Sequence, residues 1–209
     1  MRSSSARWWC CVVLVCSTVL GSHAATAETS RPADPVQIEP MRWEIDVTTG
    51  VLWKAGGGAT PLSYTLVPHI ISFKIPPITQ RPWAGGILMM RSRFSLLLES
   101  IIHGPEHSFL GLAAAGELEW RQRTGKFAVF FASGGGFGWI DSKGYEIRGA
   151  QGQDFNLNWL IHTGVRYRIR GDWLCSLGLY FQHVSNRGMD KVNPGLNALG
   201  PTFGVAKRF

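Results

Sequence analysis

From residue 153 to 169 the chain alternates. Phe155, Leu157, Trp159, Ile161, Val165, Tyr167 and Ile169 occupy odd positions, with Thr163 among them. The even positions carry Asp154, Asn156, Asn158, Leu160, His162, Gly164, Arg166 and Arg168. A period of two is a strand period. The run covers about 16 residues, whereas an ordinary strand has 5 or 6. A soluble sandwich strand also alternates, but it is shorter and its apolar face packs a core. A long strand with an aromatic outer face and a polar, glycine-containing inner face suits a transmembrane barrel.

Seven further segments read as strands: 42–53, 62–74, 84–102, 107–121, 126–139, 172–186 and 199–209. Segment 62–74 is the least regular, with Pro68 inside it. The breaks hold turn residues: Gly56-Gly57-Gly58, Pro76-Pro77, Gly104-Pro105, Thr124-Gly125, Gly149, Gly152 and Gly171. Hydrocarbon leaves no water to satisfy an open sheet edge, so strands that span it must close. The expected fold is therefore all-β: an eight-stranded antiparallel transmembrane β-barrel over residues 41–209. With both ends of the barrel chain periplasmic, residues 187–198 become an extracellular loop. Thr124-Gly125 and Arg170-Gly171 become short periplasmic turns. Phe209 gives the aromatic terminus common in outer-membrane barrels, while Lys207 sits where an apolar residue is usual.

Composition agrees and removes other classes. Of 209 residues, 17% are charged, 45% are hydrophobic, 25 are Gly and 9 are Trp. Mean hydropathy is +0.03. A disordered chain would be more charged and less apolar, and no run reaches the roughly 18 apolar residues of a spanning helix. Residues 1–27 read as a secretory signal peptide, with Arg2 and Arg7, an apolar stretch from Trp8 to Leu20, and Ala25-Thr26-Ala27 as the processing site. Residues 28–40 read as a polar leader. Cys10, Cys11 and Cys16 leave with the signal, so Cys175 remains and no intramolecular disulfide is expected. Loss of Arg2 and Arg7 lowers Lys+Arg from 21 to 19 against 14 acids, a net charge of about +5. That balance suits an anionic surface. No Lys/Arg block points to nucleic acid.

Candidate chemistry lies at the end of segment 172–186. Its odd face reads Trp173, Cys175, Leu177, Leu179, Phe181, then His183 and Ser185. A polar pair thus ends a lipid-facing row, its members roughly 6.5 Å apart along the strand. Polar groups there cost free energy unless they sit near the interface or serve a function. An imidazole beside a hydroxyl can act as base to a nucleophile. The bland alternative is an interfacial rim, and spacing alone leaves both open.

Phe181-Gln182-His183-Val184-Ser185-Asn186-Arg187-Gly188, followed by Asn193-Pro194-Gly195-Leu196-Asn197, resembles the lipid A 3-O-deacylase family. The likeness covers about residues 151–209, including Asp154-Phe155-Asn156; upstream it is architectural. It implies an outer-membrane barrel that hydrolyses an ester-linked acyl chain of lipid A, without metal or organic cofactor. It implies Ser185 as nucleophile and His183 as general base. Asn186 and the Gly188 N–H would be oxyanion donors. Lipid A, the lipopolysaccharide anchor, and the bilayer would be its partners, with a homodimer left open. Where the family carries a Glu twelve residues after the Ser, this chain has Asn197, which would orient His183 without a carboxylate's charge. Asp190 is the nearest acidic substitute in the loop. Arg187 and Lys191 would attract lipid A phosphates, or are solvated loop charges. A non-enzymatic structural or adhesive barrel with a degenerate site is the alternative that Asn197 favours. A small pore is disfavoured because side chains fill an eight-stranded lumen.

Other groups read as structural. His103 and His107 flank Gly104-Pro105 and are expected to be loop histidines. His162 faces inward as a satisfied lumen histidine. Arg91, Arg93 and Glu99 share one inner face as a lumen charge network. Cys175 is expected to be inert and lipid-facing. No nucleotide or soluble-hydrolase motif is present.

Overall fold

A computed structural model of the chain describes residue 40 and residues 42–56 and 60–209. The expected signal peptide, nearly all of the polar leader, and Gly57-Gly58 lie outside the described residues. The strands are β1 (Glu44–Gly50), β2 (Leu52–Lys54), β3 (Thr65–Lys74), β4 (Thr79–Trp83), β5 (Gly86–His103), β6 (Ser108–Gln122), β7 (Phe127–Ile140), β8 (Phe155–Arg170), β9 (Trp173–Ser185) and β10 (Leu196–Arg208). β1 and β2 form one staff of the wall, broken at Val51. There Pro201 of β10 has no N–H to give, and its carbonyl instead accepts from Val51 at 3.3 Å. β1 pairs with both β10 and β3, and β3 with β5, so the sheet closes. Counting β1 and β2 together, and setting β4 aside, the wall has the eight antiparallel strands expected.

Two differences matter. β4 is an extra short strand where the sequence shows only a proline-rich break. It folds back on the start of β5 through a tight turn at Ala84 and Gly85, both with positive φ. Second, β10 begins at Leu196, not 199, because Leu196 pairs with Val184 and Asn197 with His183. Asn197 therefore belongs to the wall and not to the expected loop.

Parity holds around the barrel. Leu177 and Leu179 lie outside, 62% and 52% exposed, while Ser176, Tyr180 and Gln182 lie inside and buried. The lumen has two halves. Toward the chain termini, Lys74, Arg91 and Arg166 interleave with Glu44, Glu117 and Glu119. Toward the opposite, loop end, Leu52, Leu97, Leu160, Val184, Leu196 and Ala198 form an apolar core. Arg91 and Arg93 join the expected network, but Glu99 stands apart from it and accepts from Gln182 Nε2 at 2.6 Å. Lys207 lies over the rings of Trp173 and Phe209, which explains a cation at that outer position. Among the described residues no helix is long and apolar enough to cross a membrane; this barrel would cross with strands.

Candidate active site on the outer wall

β9 delivers His183 and Ser185 to the outer face because Val184 between them is pinned inside, 1% exposed, in the apolar core. Rotating the strand end would bury both polar groups and expose Val184. Neighbouring strands complete a row across the wall. His183 sits between Trp159 of β8 and Asn197 of β10, and Ser185 lies opposite Leu157. The Trp159 ring centroid is 6.3 Å from that of His183 and 5.0 Å from that of Phe181.

The polar atoms form a chain. His183 Nδ1 is 2.6 Å from Asn197 Oδ1, and His183 Nε2 is 2.9 Å from Ser185 Oγ. An amide oxygen only accepts, so Nδ1 carries the hydrogen and donates. Nε2 is then the lone-pair nitrogen, and the Ser185 hydroxyl donates to it. This is the tautomer that general-base activation of a hydroxyl requires. All three groups are half-buried, open to whatever surrounds the wall.

The following loop is built on Asn186. Its carbonyl accepts from Met189 N at 3.0 Å, and Arg187 and Gly188 have φ of 54° and 80°. Positive φ at both central positions makes a type I′ turn. Arg187 in that region costs about 1–2 kcal/mol. The Asn186 side chain is fully buried. Its Oδ1 accepts the Gly188 N–H at 2.9 Å, and its Nδ2 donates to the Val192 carbonyl at 2.9 Å. The two expected oxyanion donors thus hold the turn together in this conformation. Arg187 and Lys191 are exposed on the loop. Asp190 is turned away from His183: it accepts from Tyr145 Oη at 2.9 and 3.0 Å and from Val192 N at 2.7 Å. The bond to Asp190 pushes the Tyr145 phenol above its usual range.

Two neighbours had no role in the sequence reading. Gly195, φ 66°, lies so close that a Cβ there would stand 3.3 Å from His183 Cε1. Its carbonyl accepts from Thr60 N, and that of Asn197 from Ala55 N, both at 2.9 Å, so the loop after β2 clamps this edge. Parity places Trp159 on the outer face, but only strand register puts it beside His183. The Asn-Pro-Gly sequence was a usable signal for Gly195; no local signal marks Trp159.

The remaining candidates are structural. His162 is bonded inside the lumen to Arg93 Nη1 at 3.0 Å and to Thr202 Oγ1 at 3.1 Å. His107 is exposed, with Nδ1 2.6 Å from Asp141 Oδ2. Among the described residues no cluster of three or more His, Cys, Asp or Glu side chains is arranged to hold a metal.

A family model described as lipid A 3-O-deacylase (PagL) matches residues 38–206. Among solved structures, the outer membrane enzyme PagL is similar at 14% identity, with 77% of this chain and 97% of that chain covered and a TM-score of 0.53. Neisserial surface protein A (NspA) is similar at 11% identity, with 80% and 97% covered and a TM-score of 0.53. At these identities both establish the barrel fold. No curated protein sequence matches.

Proposed function

Because the chain belongs to the lipid A 3-O-deacylase (PagL) family, we propose that it hydrolyses an ester-linked acyl chain of lipid A in the bacterial outer membrane. The observation that carries this reading is the hydrogen-bonded series Asn197–His183–Ser185 on the outer wall. A substrate acyl chain reaches Ser185 from the side, without leaving hydrocarbon. Leu157, Trp159 and Phe181 supply an apolar surface beside the hydroxyl.

The steps follow from the tautomer. Ser185 Oγ attacks the ester carbonyl carbon while its proton passes to His183 Nε2. The imidazolium is held by Asn197 Oδ1. The carbonyl oxygen gains the charge, and the turn at Asn186 and Gly188, which follows Ser185 directly in the chain, would supply the donors. To use the Gly188 N–H, the substrate oxygen must displace Asn186 Oδ1. Collapse expels the sugar hydroxyl, which takes the proton from His183. Water, activated by the same imidazole, then releases the fatty acid and restores Ser185. No metal or cofactor is required. Arg187 and Lys191, exposed beside the site, suit the lipid A phosphates.

Purified protein in detergent with lipopolysaccharide tests this. Mass spectrometry should find lipid A one acyl chain lighter and free hydroxy fatty acid, and Ser185→Ala should lower the rate by about 10³-fold or more. Equal deacylation by both proteins sinks the assignment.

A second reading, a structural or adhesive barrel with a decayed site, is favoured by two observations. Asn197 lacks the carboxylate, and the turn's donors are already engaged, the Gly188 N–H with Asn186 Oδ1 and Asn186 Nδ2 with the Val192 carbonyl. Inactivity of both the native chain and Asn197→Glu would favour it.

A further inference from the structure

The loop that joins β7 to β8, residues 141–154, packs against the loop that carries Asn186 and Gly188. Tyr145 in the first donates its hydroxyl to the Asp190 carboxylate in the second, at 2.9 and 3.0 Å. Gly152 lies against the same segment. A Cβ there would overlap the Val192 carbonyl oxygen and stand 2.7 Å from Asp190 Oδ1. Buried Thr60 ties the two loops from a third. Its hydroxyl donates to the Gly149 carbonyl at 2.5 Å, and its N–H donates to the Gly195 carbonyl at 2.9 Å.

From Tyr145 the hydrogen bonds run inward to the turn without a break. Asp190 Oδ1 accepts from Val192 N at 2.7 Å. The Val192 carbonyl accepts from Asn186 Nδ2, and Asn186 Oδ1 accepts from Gly188 N, both at 2.9 Å. Asn193 Oδ1 accepts from Asn186 N at 3.0 Å. Residues 190–193 are thus the frame on which Asn186 hangs, and Tyr145 holds that frame from outside. Tyr145 is 73% exposed, so its bond adds little to global stability. Its effect is local, on how often residues 186–193 open. Donors stabilise a developing charge only when they are held in place beforehand. A looser frame would free the Asn186 amide, but the Gly188 N–H would then lose its fixed direction.

We propose that Tyr145 is a positioning residue for the Ser185 site: through Asp190 and Val192 it holds the turn that presents the Gly188 N–H. Its catalytic consequence rests on the deacylase reading. The coupling between the two loops does not.

The test uses the full chain in detergent micelles. Hydrogen exchange, read by mass spectrometry, follows the amides of residues 186–193, and kcat and KM are measured with lipopolysaccharide. Tyr145→Phe and Asp190→Ala are expected to speed exchange in this segment about fivefold or more. Both should lower kcat about tenfold while KM stays within about twofold of native, because the loss falls on the transition state. Asp190→Asn keeps an Oδ1 that accepts from both Tyr145 Oη and Val192 N, and should keep native exchange and native kcat. Heat-modifiable mobility reports folding, and Asp190→Ala serves alone if Tyr145→Phe does not fold. Unchanged exchange in the folded variants overturns the proposal, as does faster exchange with native kcat, or a raised KM with native kcat. Equal deacylation by the native chain and Ser185→Ala would instead sink the deacylase reading, and exchange alone would then decide whether Tyr145 orders the turn.

Discussion

His183 and Asn197 face each other directly across β9 and β10, with Nδ1 2.6 Å from Oδ1. Strand pairing therefore fixes the ring, and the amide fixes its tautomer. What the amide lacks is charge: in the proposed mechanism it would not offset the imidazolium that forms as Ser185 gives up its proton. Asn197→Glu is expected to raise kcat about tenfold or more, since a charge-assisted bond is roughly twice as strong as a neutral one. Asn197→Ala should lower it at least about a hundredfold by releasing the tautomer. Rates of fatty acid release from lipopolysaccharide for the three proteins check this. An Asn197→Ala enzyme as fast as the native one would remove Asn197 from the site.

Gly195 presses on the same ring. Its φ of 66° is unfavourable for a residue with a Cβ, and that Cβ would stand 3.3 Å from His183 Cε1. Gly195→Ala is expected to cost about 1 kcal/mol of stability and to displace the imidazole from Ser185. Thermal unfolding should shift down by a few degrees while kcat falls further than the stability loss explains. A variant with native kcat would mean that the ring has room to move.

Much of this site was legible because its logic is parity. The order Phe181, His183, Ser185 puts the pair on the row shared with Leu177 and Leu179, and any strand through them must do the same. The inward histidine His162 was legible for the same reason. What one strand cannot reveal is its partner's register. Trp159 comes beside His183, and Asn197 enters β10, only through pairings between distant residues. Pro194-Gly195 reads locally as loop and so hid the first residues of β10. The β4 hairpin was hidden similarly, because Pro76-Pro77 and Pro82 mark a break while the pairing that holds β4 comes from β5. Face alone groups Glu99 with Arg91 and Arg93, but its height along the barrel places it on Gln182 instead.

Lys74 is the most enclosed cation of the lumen. Its Nζ lies 2.9 Å from both Glu44 Oε1 and Asp46 Oδ2, and it is fully buried. Lys74→Met removes one charge and leaves its carboxylate partners in place, a loss of about 3–5 kcal/mol. Arg42→Gln, which breaks the exposed pair with Asp172, should change stability by about 1 kcal/mol or less. Urea unfolding in detergent micelles, read by heat-modifiable mobility, compares the two. Equal effects would show that the lumen network is hydrated and weakly coupled.

The lipid-side approach to Ser185 depends on which face of β9 meets hydrocarbon. Leu177 is 62% exposed and shares that face with His183 and Ser185, while its neighbour Ser176 points inward. If the outer face meets the bilayer, Leu177→Arg places a cation in hydrocarbon, at a cost of about 2–4 kcal/mol near the midplane. The same change at Trp173, at the terminal rim of the strand, should cost only about 0–1 kcal/mol for the cation itself, because an interfacial cation can reach water, plus the loss of the ring beneath the paired Lys207. Unfolding in lipid vesicles checks the difference, and unfolding in aqueous detergent should shrink it, because a micelle deforms around a charge more readily than a bilayer. Equal costs at both positions would mean that β9 does not cross hydrocarbon, and would remove the reason to bring a substrate to Ser185 from the side.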